Sequence, residues 1–476
     1  MIQAASQNSP EEALDPCICR RARLSRDSRF DGEFFLAVRT TGIYCRPICP
    51  ARPPAEKNVV YFRHAAQAAD SGYRPCLRCR PESSPDSPAW RGSSTTVVRA
   101  LSLIRNGALN EGSVEHLAER LGVGERYLRK LFAREVGVSP LAVAQNQRLL
   151  FAKKLLLETA LPVTEVAFAA GYSSVRRFNA VVRDNFGTTP GELRRKQRGK
   201  VNGPGIKLQL HYRPPYDWAG VMNFFGRHAI EGLELVTPDS YQRTIAINGD
   251  TGRIRVTPVS GQNALQLELH LADHRQLMPT VARVRQVFDL DASPSIIGEA
   301  LGSDPVLAPL VEKFPGIRTP VHWSLYEATL RAIVGQQVST QAARQVCGRL
   351  TVAATPNSHP LCFPEPAMIA RLEDSEFPMP GRRRETLREV SRQCALCQST
   401  LALDSLAKLK GIGPWTTNLV AMRGYGDPDV FPPGDLGLVR AFEALSTGDQ
   451  SLANHCDNWR PWRSYAANLL WRSITV

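Results

Sequence analysis

Four cysteines in the first 85 residues restrict the fold of this chain more than any other feature. Cys45 and Cys49 stand in YCRPICP, and Cys76 and Cys79 stand in YRPCLRC. Two close pairs separated by an intervening segment supply four thiolates, enough for a closed tetrahedral zinc site. A small domain with little apolar core gains folding free energy from such a metal. The spacing therefore predicts a domain over residues 1–85 in which Zn²⁺ is bound by all four sulfurs.

The basic residues are concentrated in one part of the 476-residue chain, whose formal net charge is +14. Residues 91–200 carry 19 Lys/Arg against 9 Asp/Glu, whereas residues 201–476 carry 27 against 26. Such a concentration is typical of a surface that binds nucleic acid; a solvated basic surface or a membrane-surface contact is the alternative. No run approaches the ~18 consecutive apolar residues of a membrane span, and the acidic start lacks an apolar leader. We therefore expect a cytoplasmic protein without membrane contact.

The basic segment contains an internal repeat. Gly122 matches Gly171, 49 residues later, and each copy has the pattern of a short helix, a glycine turn and a second amphipathic helix. A linking helix is expected over residues 142–159. The repeat predicts two helix-turn-helix units within residues 92–198, although a plain helical bundle has the same periodicity. The candidate DNA-binding side chains are those of Arg126, Arg129, Lys130, Arg134, Ser174, Arg176, Arg177, Asn179 and Arg183.

The last 270 or so residues change pattern twice. TIAINGD, GRIRVTPV and ALQLELHL alternate apolar and polar residues, which indicates antiparallel strands within residues 205–294, with a helix near residues 221–229. Residues 298–476 return to helical periodicity. Pro- and Gly-rich joints lie at residues 81–95 and 194–205. The predicted fold class is a multidomain, mainly α protein with α+β parts.

The segment LKGIGPWTTNLVAMR has the form of a helix-hairpin-helix. Gly411 and Gly413 permit a tight turn whose backbone amides can face a DNA phosphate, and Pro414 suits the first turn of the next helix. A helix C-cap produces the same letters. Asp435, in FPPGDLGLVRAF, follows the hairpin by about 20 residues and suits a helix N-cap, a catalytic carboxylate, or both.

The cysteine segment resembles the amino-terminal domain of Ada-type DNA repair proteins over residues 15–82, and residues 95–195 resemble the AraC-type DNA-binding domain. The resemblance implies that zinc-bound Cys45 takes a methyl group from a methyl phosphotriester in DNA. We therefore expect the helix-turn-helix domain to activate transcription, with RNA polymerase as a partner. We expect the most exposed thiolate to be the nucleophile. The alternative is a zinc site that only stabilises its domain. Arginines that could hold the DNA backbone near the site are Arg46, Arg52, Arg74, Arg78 and Arg80.

Residues 207–476 resemble the AlkA-type 3-methyladenine DNA glycosylases, through RPPYDWAGVMNFF, RAIVGQQVSTQAA and WRPWRSYAANLLW. The resemblance implies that Asp435 stabilises the positive charge that develops on deoxyribose, and that Gln337 fills the gap left by a flipped nucleotide. Phe224, Trp415 and Trp462 are the expected base pocket, with core packing as the alternative for each. Relatives that are also lyases have a lysine at the position of Trp415, so we expect a monofunctional hydrolase that leaves an abasic site.

These observations predict four domains: a zinc-binding methyl acceptor (1–85), a double helix-turn-helix (92–198), an antiparallel β/α domain (205–294) and a helix-hairpin-helix glycosylase domain (298–476). The predicted protein senses DNA alkylation, activates transcription at promoter DNA, and excises 3-methyladenine and 7-methylguanine from double-stranded DNA. The Pro-Cys-His-Arg motif of O6-methylguanine methyltransferases does not occur, so repair of that base is not expected. One alternative is a zinc-containing DNA-binding regulator whose glycosylase-like module is inactive. Another is a glycosylase whose front half only binds zinc and DNA.

Overall fold

The structure is a computed structural model that describes residues 14–81, 95–110, 112–195, 205–247, 249–397, 401–446 and 451–475. The chain separates into two compact units, Met1–Lys200 and Val201–Val476. Most of the two predicted joints, at residues 81–95 and 194–205, and the acidic start of the chain lie outside the described residues. Among the described helices, none combines the length and the apolar character needed to cross a lipid bilayer.

The first unit begins with a small mixed sheet. Its strands are β1 (Phe35–Val38), β2 (Ile43–Cys45), β3 (Val59–Phe62) and β4 (Arg74–Pro75), in the order β3-β1-β2-β4. Strand β1 is antiparallel to β2 and β3, whereas β2 and β4 are parallel. Because parallel strands end at the same edge of a sheet, this pairing places Cys45 and Cys76 side by side. Helices α1 (Pro16–Ser25) and α2 (Ala65–Asp70) accompany the sheet.

Seven helices follow the sheet in the described part of the first unit, and they confirm the predicted repeat. They are α3 (Thr95–Arg105), α4 (Val114–Arg120), α5 (Glu125–Glu135), α6 (Pro140–Glu158), α7 (Val163–Ala169), α8 (Val175–Phe186) and α9 (Pro190–Arg195). Gly122 and Gly171 have φ angles of +71° and +80°, the left-handed backbone that a glycine turn between two helices uses. Leu128 and Phe132 on α5, and Phe178 and Val182 on α8, are buried. The linking helix α6 is itself buried along most of its length.

The second unit begins with a five-stranded antiparallel sheet, as the alternating pattern predicts. The strands are β5 (Ile206–His211), β6 (Glu234–Thr237), β7 (Ser240–Ile247), β8 (Asp250–Pro258) and β9 (Ala264–His270), in the order β5-β9-β8-β7-β6. Leu208, Leu267 and Leu269 point to the buried face, and their register across β5 and β9 aligns them on one side of the sheet. Helix α10 (Trp218–His228) covers the position where one helix was expected.

The rest of the second unit is helical. Its helices are α11 (Leu277–Val287), α12 (Pro294–Gly302), α13 (Ala308–Lys313), α14 (Leu325–Val334), α15 (Thr340–Ala354), α16 (Pro366–Ala370), α17 (Gly381–Leu396), α18 (Leu403–Leu406), α19 (Pro414–Val420), α20 (Leu436–Leu445), α21 (Leu452–His455) and α22 (Arg463–Ser473). A π-helical turn, Ala421–Tyr425, continues α19. One apolar core joins α14, α15, α17 and α19, so the hairpin between α18 and α19 is held by a packed helical body.

Candidate functional site

The four predicted metal ligands converge at one end of the first sheet. The sulfur atoms of Cys45, Cys49, Cys76 and Cys79 all lie within 4.8 Å of one another. Four sulfurs about 2.3 Å from a tetrahedral zinc ion stand about 3.8 Å apart, so the cluster has the size that Zn²⁺ requires. Four thiolates this close repel one another strongly unless a cation lies among them. The donor set and its spacing therefore fit a zinc site.

Backbone amides point at some of these sulfurs but not at all of them. The Arg46 amide donates to Cys79 Sγ and the Arg78 amide to Cys76 Sγ, both at 3.3 Å, and the Ala51 amide interacts with the Cys49 sulfur. Within the described part of the chain, no backbone N–H donates to Cys45 Sγ. Hydrogen bonds withdraw electron density from a thiolate, so the Cys45 sulfur stays the most electron-rich of the four.

Solvent exposure of the four cysteines gives a different order from the hydrogen bonds to their sulfurs. Cys45 is 8% exposed, whereas Cys49 is only half-buried. The expectation that the most exposed thiolate is the nucleophile therefore points to Cys49, against the assignment of Cys45 that the Ada resemblance implies. Exposure thus favours Cys49 as the nucleophile, whereas the hydrogen bonds favour Cys45.

The structure corrects the interpretation of Arg46. We expected this side chain to hold the DNA backbone, but it is 3% exposed. Its Nε and Nη2 donate to the two carboxylate oxygens of buried Asp31, and its Nη1 donates to the Cys79 carbonyl oxygen at 3.1 Å. Arg46 therefore braces the loop of one metal ligand from inside the domain. Of the other flanking arginines, Arg52, Arg74 and Arg78 are exposed.

The linking helix α6 packs directly against the zinc domain. Lys153, which is fully buried, donates from Nζ to the carbonyl oxygen of Cys76 at 2.7 Å. Arg80 forms an ion pair with Glu158 at 2.5 Å, and Lys154 pairs with the same carboxylate at 2.9 Å. Sequence reasoning missed these lysines because their spacing on α6 gives no sign that they contact another domain.

The two helix-turn-helix units present basic side chains to solvent. Arg126, Arg129 and Lys130 are exposed on α5; Arg176, Arg177 and Arg183 are exposed on α8, where Asn179 is half-buried. Arg129 is partly engaged, because it pairs with Glu125 at 2.5 Å one turn earlier. An exposed pair of this kind contributes little to stability and opens readily when a phosphate competes for the guanidinium.

In the second unit, Asp435 is the N-cap of α20 and is held by three N–H groups. Its Oδ1 accepts from the Leu438 amide at 3.0 Å and from Trp471 Nε1 at 3.1 Å, and its Oδ2 accepts from Trp415 Nε1 at 3.0 Å. The N-cap that the sequence suggested is therefore present. Two indoles and a helix N-terminus hold a half-buried carboxylate in one orientation, as an electrostatic catalyst requires.

The aromatic residues around Asp435 differ in part from the expected set. Trp415 contacts the carboxylate directly, and Phe224 is half-buried. Trp462 is 2% exposed and packs edge-on against Tyr465, so it is too covered to offer a ring face to a base. The second indole at the carboxylate belongs to Trp471, which the sequence reasoning did not select. A tryptophan within a helix that is mostly buried is normally a core residue, and the sequence offers no signal that its N–H faces an acid.

Phe224 is surrounded by nitrogen-containing side chains, of which His322 and Arg423 are buried and His228 is half-buried. Its ring centroid lies 4.5 Å from that of His228 and 5.6 Å from that of His322, and the Arg423 guanidinium lies 4.4 Å above it. Burial lowers the pKa of His228 to about 3 and holds the pKa of His322 well below its usual value. Both imidazoles are therefore neutral at pH 7, and the positive charge beside Phe224 is that of Arg423.

The hairpin has the geometry expected of a phosphate-binding turn. Gly411 has a φ of +88° and Gly413 is the N-cap of α19; both are exposed. Gln336 Nε2 donates to the Gly411 carbonyl oxygen at 3.0 Å and to Thr416 Oγ1 at 2.9 Å, which ties the neighbouring loop to the hairpin. Gln337, the expected gap-filling residue, is exposed and has a φ of +55°.

The folds and sites together define a multidomain DNA-binding protein with a four-cysteine zinc domain, a double helix-turn-helix and a helix-hairpin-helix domain. Comparison with known families agrees: residues 18–82 match the metal-binding domain of Ada, residues 117–196 a helix-turn-helix domain, and residues 207–324 the AlkA N-terminal domain. The chain is 40% identical, over 96% of both chains, to the probable bifunctional transcriptional activator/DNA repair enzyme AlkA of Mycobacterium tuberculosis. It therefore belongs to this family of bifunctional transcriptional activators and DNA repair enzymes.

Two further relatives each match one half. The DNA-3-methyladenine glycosylase 2 of Escherichia coli is 29% identical and covers 55% of this chain and 95% of its own. The bifunctional transcriptional activator/DNA repair enzyme Ada of the same organism is 32% identical and covers 36% of this chain and 47% of its own. The fusion that the sequence predicts is thus confirmed at the level of its parts. The exact borders of the four domains stay a prediction.

Proposed function

We propose that the second unit hydrolyses the N-glycosidic bond of alkylated purines, such as 3-methyladenine and 7-methylguanine, in double-stranded DNA. The observation that supports this most is Asp435, fixed by two indole N–H groups and one backbone amide. The bond between C1′ and the base nitrogen breaks, its electron pair leaves with the base, and the sugar becomes positively charged. Asp435 stabilises that charge and orients the water whose oxygen then bonds to C1′, while the water's proton passes to solvent.

The remaining residues position the nucleotide. The target must leave the base stack to reach Asp435, and Gln337 fills the vacated position; its exposure on its loop supports this role. The amides around Gly411 and Gly413 bind a phosphate of the same strand. Phe224 and the two indoles at Asp435 supply aromatic faces that favour a base made cationic by alkylation. Position 415 is a tryptophan and not the lysine found in relatives that are also lyases, so the product is an abasic site with an intact backbone.

A glycosylase assay with a matched variant tests this proposal. Duplex DNA with a single 7-methylguanine is incubated with the full chain and with Asp435→Asn, which keeps the size and the cap. The expected result is release by the wild type and a loss of at least ~100-fold in the variant. Affinity for DNA with an abasic site should stay within a few-fold. An inactive wild type that still binds DNA would support a regulator with an inactive glycosylase-like module.

We also infer that the Cys45 sulfur accepts a methyl group from a methyl phosphotriester in the DNA backbone. The sulfur attacks the methyl carbon; the S–C bond forms as the C–O bond breaks, and the electron pair stays on the phosphate oxygen, leaving a diester anion. When bound, Zn²⁺ keeps the four sulfurs deprotonated. Loss of one thiolate changes the formal charge of the site from −2 to −1, which reduces repulsion of the DNA phosphates.

Mass spectrometry after incubation with an oligonucleotide that carries one methyl phosphotriester tests this assignment. We expect one adduct of about 14 Da on the peptide that contains Cys45. Cys17 and Cys397 are exposed thiols outside the cluster and serve as internal controls that should stay unmodified. An adduct on Cys49 would assign the reaction to the more exposed sulfur, and the absence of any adduct would reduce the zinc site to a structural role.

The proposal for the first unit extends to transcription. Methylated protein binds promoter DNA through α5 and α8 and activates transcription together with RNA polymerase in the cytoplasm. The exposed arginines of both helices support this role. In a promoter-binding assay, prior methylation should raise affinity, and replacing Arg176 and Arg177 with alanine should lower it. Equal affinity before and after methylation would contradict the switch.

A further inference from the structure

Arg423 is a buried cation without an ionic partner. It lies in the π-helical turn Ala421–Tyr425 and is 5% exposed. Its Nη1 donates to the Pro320 carbonyl oxygen at 2.8 Å, and its Nη2 donates to Asn468 Oδ1 at 2.7 Å. Within the described part of the chain, no carboxylate oxygen lies within 4.0 Å of this guanidinium. Burial lowers the pKa of Arg423 to about 9, so the group is still charged at neutral pH.

An uncompensated buried charge is expensive, so its position is informative. The guanidinium carbon lies 4.4 Å from the ring centroid of Phe224 and 5.3 Å from that of Trp471. The indole of Trp471 donates on its other side to Asp435 Oδ1. One indole therefore separates a fixed positive charge from the carboxylate of the site. Irregular π turns such as the one that carries Arg423 occur frequently at functional sites.

We propose that Arg423 is a positioning residue that acts through Phe224 and Trp471, as a fixed positive charge that favours electron flow onto the departing base. The inference rests on the proposed glycosylase function. As the C1′–N bond breaks, its electron pair moves to the base nitrogen, so the base gains one negative charge whatever its starting charge. A cation on the base side and Asp435 on the sugar side stabilise the same displacement of charge.

This arrangement predicts an asymmetry between lesions. A cationic base such as 7-methylguanine is repelled by Arg423 when it enters the pocket, whereas a neutral base such as hypoxanthine is not. The charge of Arg423 therefore weakens the binding of cationic bases, and it accelerates bond cleavage for cationic and neutral bases alike. Its net effect is to extend the range of the site toward neutral purine lesions, which leave as anions and take a proton from solvent.

The test compares Arg423→Gln, which removes the charge but keeps a hydrogen-bond donor, with Arg423→Lys, which keeps the charge. Single-turnover release from duplexes with one 7-methylguanine or one hypoxanthine is measured with the full chain over a range of protein concentrations. In Arg423→Gln, the maximal rate should fall roughly tenfold for both bases. Half-saturation should occur at a lower protein concentration for 7-methylguanine only. Arg423→Lys should stay within about threefold of the wild type in both quantities.

Three outcomes would overturn the proposal. One is a maximal rate in Arg423→Gln equal to that of the wild type. Another is an equal loss of rate and affinity for both bases, as a merely structural residue would produce. The third concerns folding, and it uses Arg423→Met as a second variant without the charge. If neither Arg423→Gln nor Arg423→Met folds under conditions in which Arg423→Lys folds, the charge is a requirement of folding. A wild type that releases neither base while binding both duplexes contradicts the proposed glycosylase function instead.

Discussion

The two proposed reactive centres stabilise negative charge in different ways. Asp435 is a single carboxylate, and three neutral N–H groups of the protein suffice to orient it. The four cysteine sulfurs lie within 4.8 Å of one another, and neutral donors cannot offset the repulsion of four thiolates at that distance. One centre is therefore prepared by the fold alone, whereas the other depends on a metal ion for both its charge balance and its structure.

The largest expected difference between the units is their response to metal removal. A strong chelator should abolish methyl transfer and unfold the zinc domain, because structural zinc contributes roughly 10 kcal/mol or more to domains of this kind. Release of 7-methylguanine by the same full-length sample should persist. Six of the seven tryptophans lie in the second unit, so their fluorescence monitors that unit while a metal-sensitive dye monitors zinc. Simultaneous loss of both activities would contradict the contrast.

The buried Arg46–Asp31 pair offers a second way to test the first unit. Arg46→Met removes the guanidinium that pairs with the buried Asp31 carboxylate and should destabilise the zinc domain by about 3–5 kcal/mol. Zinc release during urea unfolding measures the change. Arg52→Met, at an exposed arginine in the same domain, is the control and should stay within about 0.5 kcal/mol. Equal effects of the two substitutions would return Arg46 to the surface role first expected for it.

Acid should weaken both units for different reasons. His228 and His322 are neutral because desolvation lowers their pKa values, so their stabilising contribution is present above about pH 6.5 and is lost as pH falls. Burial raises the pKa of Asp289 to about 6, and its contribution grows below that pH and partly offsets the loss. From pH 7.5 to 5.5 the second unit should lose stability on balance, because two histidines take up protons on unfolding and one aspartate offsets only part of that loss. Excess zinc should rescue the first unit only; rescue of tryptophan-monitored unfolding would contradict this account.

The smallest predicted effect separates two tryptophans. Trp471→Phe removes one N–H from Asp435 while keeping an aromatic ring, and should slow base release roughly tenfold, since hydrogen bonds to charged groups contribute about 1.5–3 kcal/mol. Trp462→Phe, the matched control, should change the rate less than about twofold if the fold is kept. Single-turnover assays measure both. A larger loss in Trp462→Phe would restore Trp462 to the base pocket.

Local patterns predicted much of this molecule. The cysteine spacing is itself the geometry of the metal site, because each pair spans one short turn at the end of a strand. Gly122 and Gly171 mark the two turns between helices, because glycine readily adopts the left-handed backbone that each turn needs. Asp435 stands immediately before a helix, so its N-cap role is also a local property. In each case the residues that carry the information are neighbours in the chain, and the physical constraint acts over a few residues.

The parts that sequence reasoning missed depend on distant partners. Arg46 looked like a phosphate ligand because its counter-ion, Asp31, is 15 residues away and belongs to another loop. Trp471, and not Trp462, reaches Asp435 because helix α22 begins at Arg463 and carries Trp471 past the carboxylate. Arg423 gave no signal at all, since burial of a charged residue between two rings is set by tertiary packing. The periodic spacing of apolar and polar residues does not predict such contacts.

The contact between Lys153 and the Cys76 carbonyl has a geometric consequence for how alkylated DNA is approached. Helix α6 bridges both helix-turn-helix units and also touches a loop that ends in a zinc ligand. The four-cysteine cluster and helices α5 and α8 thus lie in one compact unit. We therefore expect a fixed spacing, in base pairs, between the phosphate that is repaired and the DNA sequence that α5 and α8 bind. Binding assays on duplexes that differ only in this spacing should show one preferred value.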